Sequence, residues 1–222
     1  MRYTHVFLDM DGTLLDTGDG VKRSFQYALQ KLGRPVLPAA QLDFVLGPPL
    51  YWSFHDRLGL PEEEAQRGVD AYREYYQKTG IWQCRVYDGM TQLLLALRAE
   101  GVRLGVVTGK PEEFACRLVE YFGLRSLFDF VVGTAKDDRS EGKKHLLERA
   151  FASAGLTQPQ RRGVLMVGDR CYDIDGARQT GIDSMGVLYG FGTRQELTEH
   201  GATLLAASAD EARTLLCGPQ KR

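Results

Sequence analysis

Two carboxylates, Asp9 and Asp11, lie two residues apart, directly after the apolar run Val6-Phe7-Leu8 and directly before Gly12-Thr13. The run reads as a short buried strand, and Gly12 permits a sharp turn off its end. Like charges this close repel, and holding both ionised calls for a cation or a shared proton between them. A polar strand exit is the plain alternative, since Asp and Gly are common there. It does not account for two acids set against an apolar run. Three more clusters carry related chemistry. Thr108-Gly109-Lys110 follows Leu104-Gly105-Val106-Val107, Lys143-Lys144 follows Gly142, and Gly168-Asp169 with Asp173 follows Val164-Leu165-Met166-Val167. Carboxylates suit Mg2+, a hard cation that prefers oxygen. A hydroxyl, free backbone amides and a lysine suit a phosphate. Metal, phosphate and a spare carboxylate point to phosphoryl transfer, where positioning and charge neutralisation carry most of the catalysis. A carboxylate can also serve as the nucleophile in such a reaction. The sequence has neither GxxxxGK[ST] nor GxGxxG, so nucleotide-driven chemistry has no motif here.

These clusters need a scaffold that gathers strand ends. After residue 88 helix-like and strand-like stretches alternate: helices over 88–100, 111–122, 141–154 and 172–181, strands over 102–108, 130–133, 164–168 and 184–188. Alternation at these lengths predicts an α/β fold, a Rossmann-like three-layer core with a mainly parallel sheet. The nearly continuous apolar strands suit a sheet covered on both faces. In such sheets ligands bind in the crevice at the carboxyl ends of the strands. All four clusters can therefore meet in one place. Residues 17–85 break the alternation and show helix patterns only. Val21, Phe25, Ala28, Leu29 and Leu32 recur at helical spacing, with Gly33 and Pro35 as a stop. Helices over 48–58 and 61–79 follow, the second starting Pro61-Glu62-Glu63-Glu64. The expected organisation is a core of residues 1–16 and 86–222, with 17–85 inserted as a helical subdomain.

Composition narrows the function classes. A net charge of −1 gives no electrostatic case for a nucleic acid polymer or an anionic membrane. No apolar run approaches a membrane span. The four cysteines, Cys84, Cys116, Cys171 and Cys217, form no CxxC and read as free thiols of a reducing compartment. With no signal-peptide pattern ahead of the first strand, a cytoplasmic location is expected. The four histidines show no metal-ligand spacing, which argues against a structural zinc site.

Taken together, the clusters resemble the motifs of the haloacid dehalogenase-like phosphatases. Asp9-Met10-Asp11-Gly12-Thr13 is similar to the first motif and Val107-Thr108-Gly109-Lys110 to the second. Lys143 matches the third, and Gly168-Asp169 with Asp173 the fourth. The helical insert falls where that family carries its small helical cap. Within the family the chain resembles the phosphoglycolate phosphatases and their bacterial 5′-nucleotidase-like relatives. Gly47-Pro48-Pro49-Leu50, Ser53-Phe54, Tyr72-Arg73-Glu74-Tyr75-Tyr76 and Tyr87-Asp88-Gly89-Met90 carry that likeness.

The resemblance implies a Mg2+-dependent phosphatase acting on a small phosphorylated metabolite, as a monomer or homodimer. Phosphoglycolate phosphatase is the leading expectation and 5′-nucleotidase the alternative. It also implies the roles. Asp9 would be the nucleophile and Asp11 the proton carrier. Mg2+ would sit on Asp9, the Asp11 carbonyl and Asp169, with Asp173 orienting that shell. Thr108 and Gly109 would bind phosphoryl oxygens, and Lys143 would offset the negative charge. Asp11 disfavours dehalogenation, since family dehalogenases lack that acid. A phosphomutase carries both acids and stays open. A phosphoacceptor regulator is disfavoured, because receiver domains lack the second acid and a helical insert of this length.

Each residue also has a plainer reading. Thr108 can end a strand, Lys143 and Lys144 can be a solvated helix face, and Asp169 or Asp173 can cap a helix. Lys110 can touch phosphate or merely start a helix. Cys171 reads as a loop filler. Tyr72, Tyr75 and Tyr76 read as packing or as a stacking platform, and His55 and Arg57 as facing substrate or solvent.

Overall fold

The computed structural model describes residues 2–135 and 142–218. Eight strands occur among them: β1 (His5–Leu8), β2 (Leu15–Asp16), β3 (Arg85–Val86), β4 (Arg103–Pro111), β5 (Phe130–Thr134), β6 (Val164–Gly168), β7 (Asp183–Val187) and β8 (Leu204–Ala206). Nine α-helices accompany them: α1 (Gly18–Lys31), α2 (Leu50–Trp52), α3 (Glu62–Lys78), α4 (Met90–Ala99), α5 (Glu112–Tyr121), α6 (Lys143–Ser153), α7 (Cys171–Thr180), α8 (Arg194–Glu199) and α9 (Ala209–Cys217). Six strands form one sheet in the order β5-β4-β1-β6-β7-β8, with every pairing parallel.

Burial explains why the strands are apolar throughout. Phe7, Val107, Val132, Val164 and Met166 share one face with Leu146, Leu147, Ala150 and Phe151 of α6 and Ala177 of α7. Val6 and Leu8 point to the opposite face by the two-residue alternation of a strand. They are equally buried, so both faces are covered. The α/β core with a parallel sheet expected from the sequence is the one observed. Leu8 is level with Val106 on one side and Val167 on the other. The chain therefore leaves β1, β4 and β6 at the same sheet edge.

The chain forms two compact units, residues Met1–Leu15 with Val86–Arg222 and residues Asp16–Arg85. In the second, Phe25 stacks on Phe54 with centroids 4.3 Å apart. Gly68 makes room for that pair, since a Cβ there would lie 2.9 Å from the Phe54 ring. The helix expected over 48–58 is α2 running into a π-helical turn, Ser53–Arg57. The strand expected to stop at 108 continues to Pro111, which pairs with Thr134 after a register shift. Patterning also gave no sign of β8, α8 or α9. The helix expected from 141 begins at Lys143, and residue 141 itself lies outside the described residues, as do the last four of the chain. The four cysteines are unbridged. Among the described residues no helix is long and apolar enough to cross a membrane.

One core residue ties stability to pH. His5 of β1 is buried, its Nδ1 is 2.9 Å from Thr4 Oγ1, and Nε2 has no hydrogen-bond partner among the described residues. Burial, aided by the Arg103 charge, holds its pKa below the ordinary 6.5, with Asp129 opposing. The unfolded chain takes up this proton below about pH 6.5 while the folded chain refuses it, so stability falls as pH drops through that value. His5→Phe is expected to flatten the change in Tm between about pH 7.5 and about pH 5. Equal slopes for the two proteins would refute the assignment.

Candidate active site

The Asp9 amide donates to Val167 O at 2.9 Å, extending the β1–β6 ladder by one residue and placing the carboxylate just past the sheet edge. The chain then turns tightly, with Met10 O accepting from Leu14 N at 3.0 Å and Leu15 N at 2.9 Å. Gly12 makes that turn at φ +79°, where a Cβ would run into the Asp169 carboxylate. Thr13 Oγ1 donates to Asp169 Oδ1 at 3.1 Å, and Phe191 N donates to Asp169 Oδ2 at 2.7 Å. Asp173 is the third residue of α7, and its Oδ2 accepts from Arg170 N at 3.2 Å. One acid thus caps the helix, as the plainer reading allowed, and the cap uses only one of its oxygens. Gly168 leaves space for it, since a Cβ there would overlap the Asp173 side chain.

Two buried lysines enter among these acids. Lys143 opens α6, with Nζ 2.9 Å from Asp9 Oδ1, 2.7 Å from Asp173 Oδ1 and 3.0 Å from Val107 O. The approach to Asp173 lies outside hydrogen-bond geometry, so Oδ1 has a charge contact and an unused lone pair among the described residues. Gly176 of α7 lets the Lys143 stem pass, because a Cβ there would lie 2.7 Å from its Cγ. Lys110 Nζ is 2.9 Å from Asp11 Oδ2. Thr108 is buried, and its Oγ1 accepts from Lys110 N at 3.2 Å, which leaves the hydroxyl proton for another acceptor.

Four carboxylates face two ammonium groups here, and titration follows that imbalance. Burial pushes Asp9 up to about 6, Lys143 opposes this, and the Asp173 and Asp11 charges add to it. Burial, then Asp173 and Asp9, raise Asp169 well above the carboxylate range against the Phe191 amide and Thr13 hydroxyl. Burial alone would lower Lys143, but Asp173 and Asp9 outweigh it and hold the ammonium above its usual value. Asp9, Asp169 and Asp173 each offer an oxygen, all within 4.8 Å of one another. An all-carboxylate donor set with an unused lone pair fits a hard divalent cation such as Mg2+.

The profile of the haloacid dehalogenase-like hydrolases matches residues 6–187. The chain belongs to this family. This haloacid dehalogenase-like phosphatase is 37% identical to the 5′-nucleotidase of Pseudomonas aeruginosa, over 97% of its own length and 96% of the relative's. It is 30% identical to the phosphoglycolate phosphatase of Nitrosospira multiformis, over 95% and 94% of the two chains. The solved structure of protein tyrosine kinase A of Mycobacterium tuberculosis superposes with a TM-score of 0.83 at 36% identity, covering 96% and 98% of the two chains.

In this phosphatase Asp9, Asp11, Thr108, Gly109, Lys143 and Asp169 all lie at the shared sheet edge. Lys143 reaches Asp9 while Lys144 is exposed. Lys110, with two readings open, pairs with Asp11. Cys171 is the first residue of α7 rather than loop, and burial with the nearby Glu196 pushes its thiol up to about 11. Tyr76 is buried and stacks on Tyr72 at 5.6 Å, a packing role, and the Arg57 guanidinium lies 5.4 Å over the Phe44 ring. Sequence reasoning placed Thr13 in the first motif without a role of its own, and it missed the Gly190-Phe191-Gly192 segment that presses on Asp169. A Cβ at Gly190 or Gly192 would meet Asp169 itself. Two glycines directly after a strand expected over 184–188 were the available signal.

Proposed function

We propose that this phosphatase hydrolyses small phosphate monoesters through an aspartyl-phosphate on Asp9, with Mg2+ held by Asp9, Asp169 and the Asp11 carbonyl. The observation that carries the reading is the contact of Lys143 Nζ with both Asp9 and Asp173, which keeps Asp9 charged in a buried setting. An Asp9 oxygen attacks phosphorus, the bond to the leaving oxygen breaks, and Asp11 gives that oxygen its proton. Water then attacks the phosphoaspartate, Asp11 takes the proton of the water, and Asp9 and inorganic phosphate separate. Thr108 and the Gly109 amide bind phosphoryl oxygens, and Lys143 balances charge where few waters screen it. Bound Mg2+ supplies Lewis-acid stabilisation of phosphoryl charge. Asp173 orients the cation shell and is a candidate for a direct ligand, given its place in the carboxylate triad. Residues 17–85 are the helical insert that the family likeness assigns as a cap.

Two ester classes are supported. The motif likeness puts 2-phosphoglycolate first. The higher identity to a 5′-nucleotidase, 37% against 30%, sets nucleoside 5′-monophosphates beside it. A panel of both esters, assayed with Mg2+ and with EDTA, is expected to give turnover only with the metal. Preference within the panel assigns the substrate, and no turnover of any ester in Mg2+ would sink the reading.

A further inference from the structure

Glu196 lies on α8, outside the four clusters that the sequence singles out. Thr193 caps this helix, its Oγ1 accepting from Glu196 N at 3.1 Å. The Glu196 carboxylate reaches the neighbouring turn. Its Oε1 accepts from Cys171 N at 2.8 Å and from Arg170 Nε at 2.9 Å. Both donors sit between Asp169 and Asp173, the two acids that must aim at one point. The same segment grips that turn a second time through Phe191 N on Asp169 Oδ2. The turn is thus held at the acid itself and at the residues that follow it.

The Arg170 contact matters as much as the amide contact. Arg170 is half-buried beside Asp169, whose charge it feels. A guanidinium with five donors is a strong partner for any carboxylate in reach. Glu196 draws it to the α8 side and keeps a competing cation off the metal-binding acids.

We infer that Glu196 is a positioning residue for the divalent cation, fixing the Asp169–Asp173 turn and holding Arg170 away from it. This rests on the cation site proposed above. Partners one step beyond metal ligands typically change metal affinity about 10- to 100-fold when lost.

Mn2+ binding to the metal-free protein, followed by electron paramagnetic resonance, reads this directly, with the Tm in EDTA as a fold control. Glu196→Ala is expected to raise the Mn2+ Kd at least about tenfold, with Tm within about 3 °C of wild type. Glu196→Gln keeps an acceptor for Cys171 N and loses the charge on Arg170, so its Kd should fall between the two. Should the alanine variant fail to fold, the glutamine variant decides alone, with a Kd above about twice the wild-type value supporting the role. Variant Kd values within about twofold of wild type would overturn the role of Glu196 while leaving the cation site standing. A wild-type protein that takes up no Mn2+ would overturn the site and this role together.

Discussion

Asp9→Asn is expected to abolish ester hydrolysis, lowering kcat by about 10^4-fold or more, the scale seen when a covalent nucleophile is removed. An amide in place of the carboxylate keeps the shape but cannot attack phosphorus. The fold should not suffer. Burial and the Asp173 and Asp11 charges push Asp9 up to about 6, so at about pH 7 it stays mostly ionised but holds that charge at a cost to the metal-free fold. Asparagine resembles the protonated form, and Lys143 retains Asp173 at 2.7 Å as a partner. The metal-free variant should therefore be at least as stable as wild type at about pH 7 in thermal denaturation. Loss of turnover together with a retained Tm is the signature of a nucleophile. Near-normal turnover in a folded variant would remove Asp9 from that role.

The legible part of the site was the part encoded locally. Asp9, Asp11, Thr108 and Asp169 each follow an apolar strand, so a strand pattern and an acid or hydroxyl at its end suffice to find them. The level register of Leu8 with Val106 and Val167 then brings them together, as expected of a parallel sheet. Lys143 was separable from Lys144 only by likeness to a family. Two adjacent lysines differ by the phase of α6 against the sheet, which is set by packing of Leu146, Leu147, Ala150 and Phe151. Thr13 and Glu196 act on residues 156 and 25 positions away. Phe191 contributes only a backbone amide, a group that every non-proline residue carries. β8 is three residues long and α8 six, too short for a period to emerge.

Lys143→Met should damage stability and catalysis at once, and pH separates the two. Lys143 is a buried cation in contact with two buried acids, Asp9 at 2.9 Å and Asp173 at 2.7 Å. Removing one partner of a buried ion pair strands the others, typically at about 3–5 kcal/mol. In a chain of this length that lowers Tm by on the order of 10 °C. The stranded charge has one remedy in the absence of metal, which is to take up a proton. An acid whose folded pKa lies above its unfolded value stabilises the fold at low pH and loses that contribution as pH rises through the folded value. Asp9 already behaves this way with Lys143 present, and without the ammonium its pKa moves further up. The stability deficit of the variant is therefore expected to be small near pH 5 and large near about pH 8, measured by urea unfolding in EDTA. A divalent cation supplies positive charge to the same acids, so Mg2+ should narrow the deficit at about pH 8. Turnover should stay low under both conditions, because the phosphoryl group would still lack its lysine. A deficit of equal size at both pH values would mean that Lys143 serves the fold through its stem alone and not through its charge.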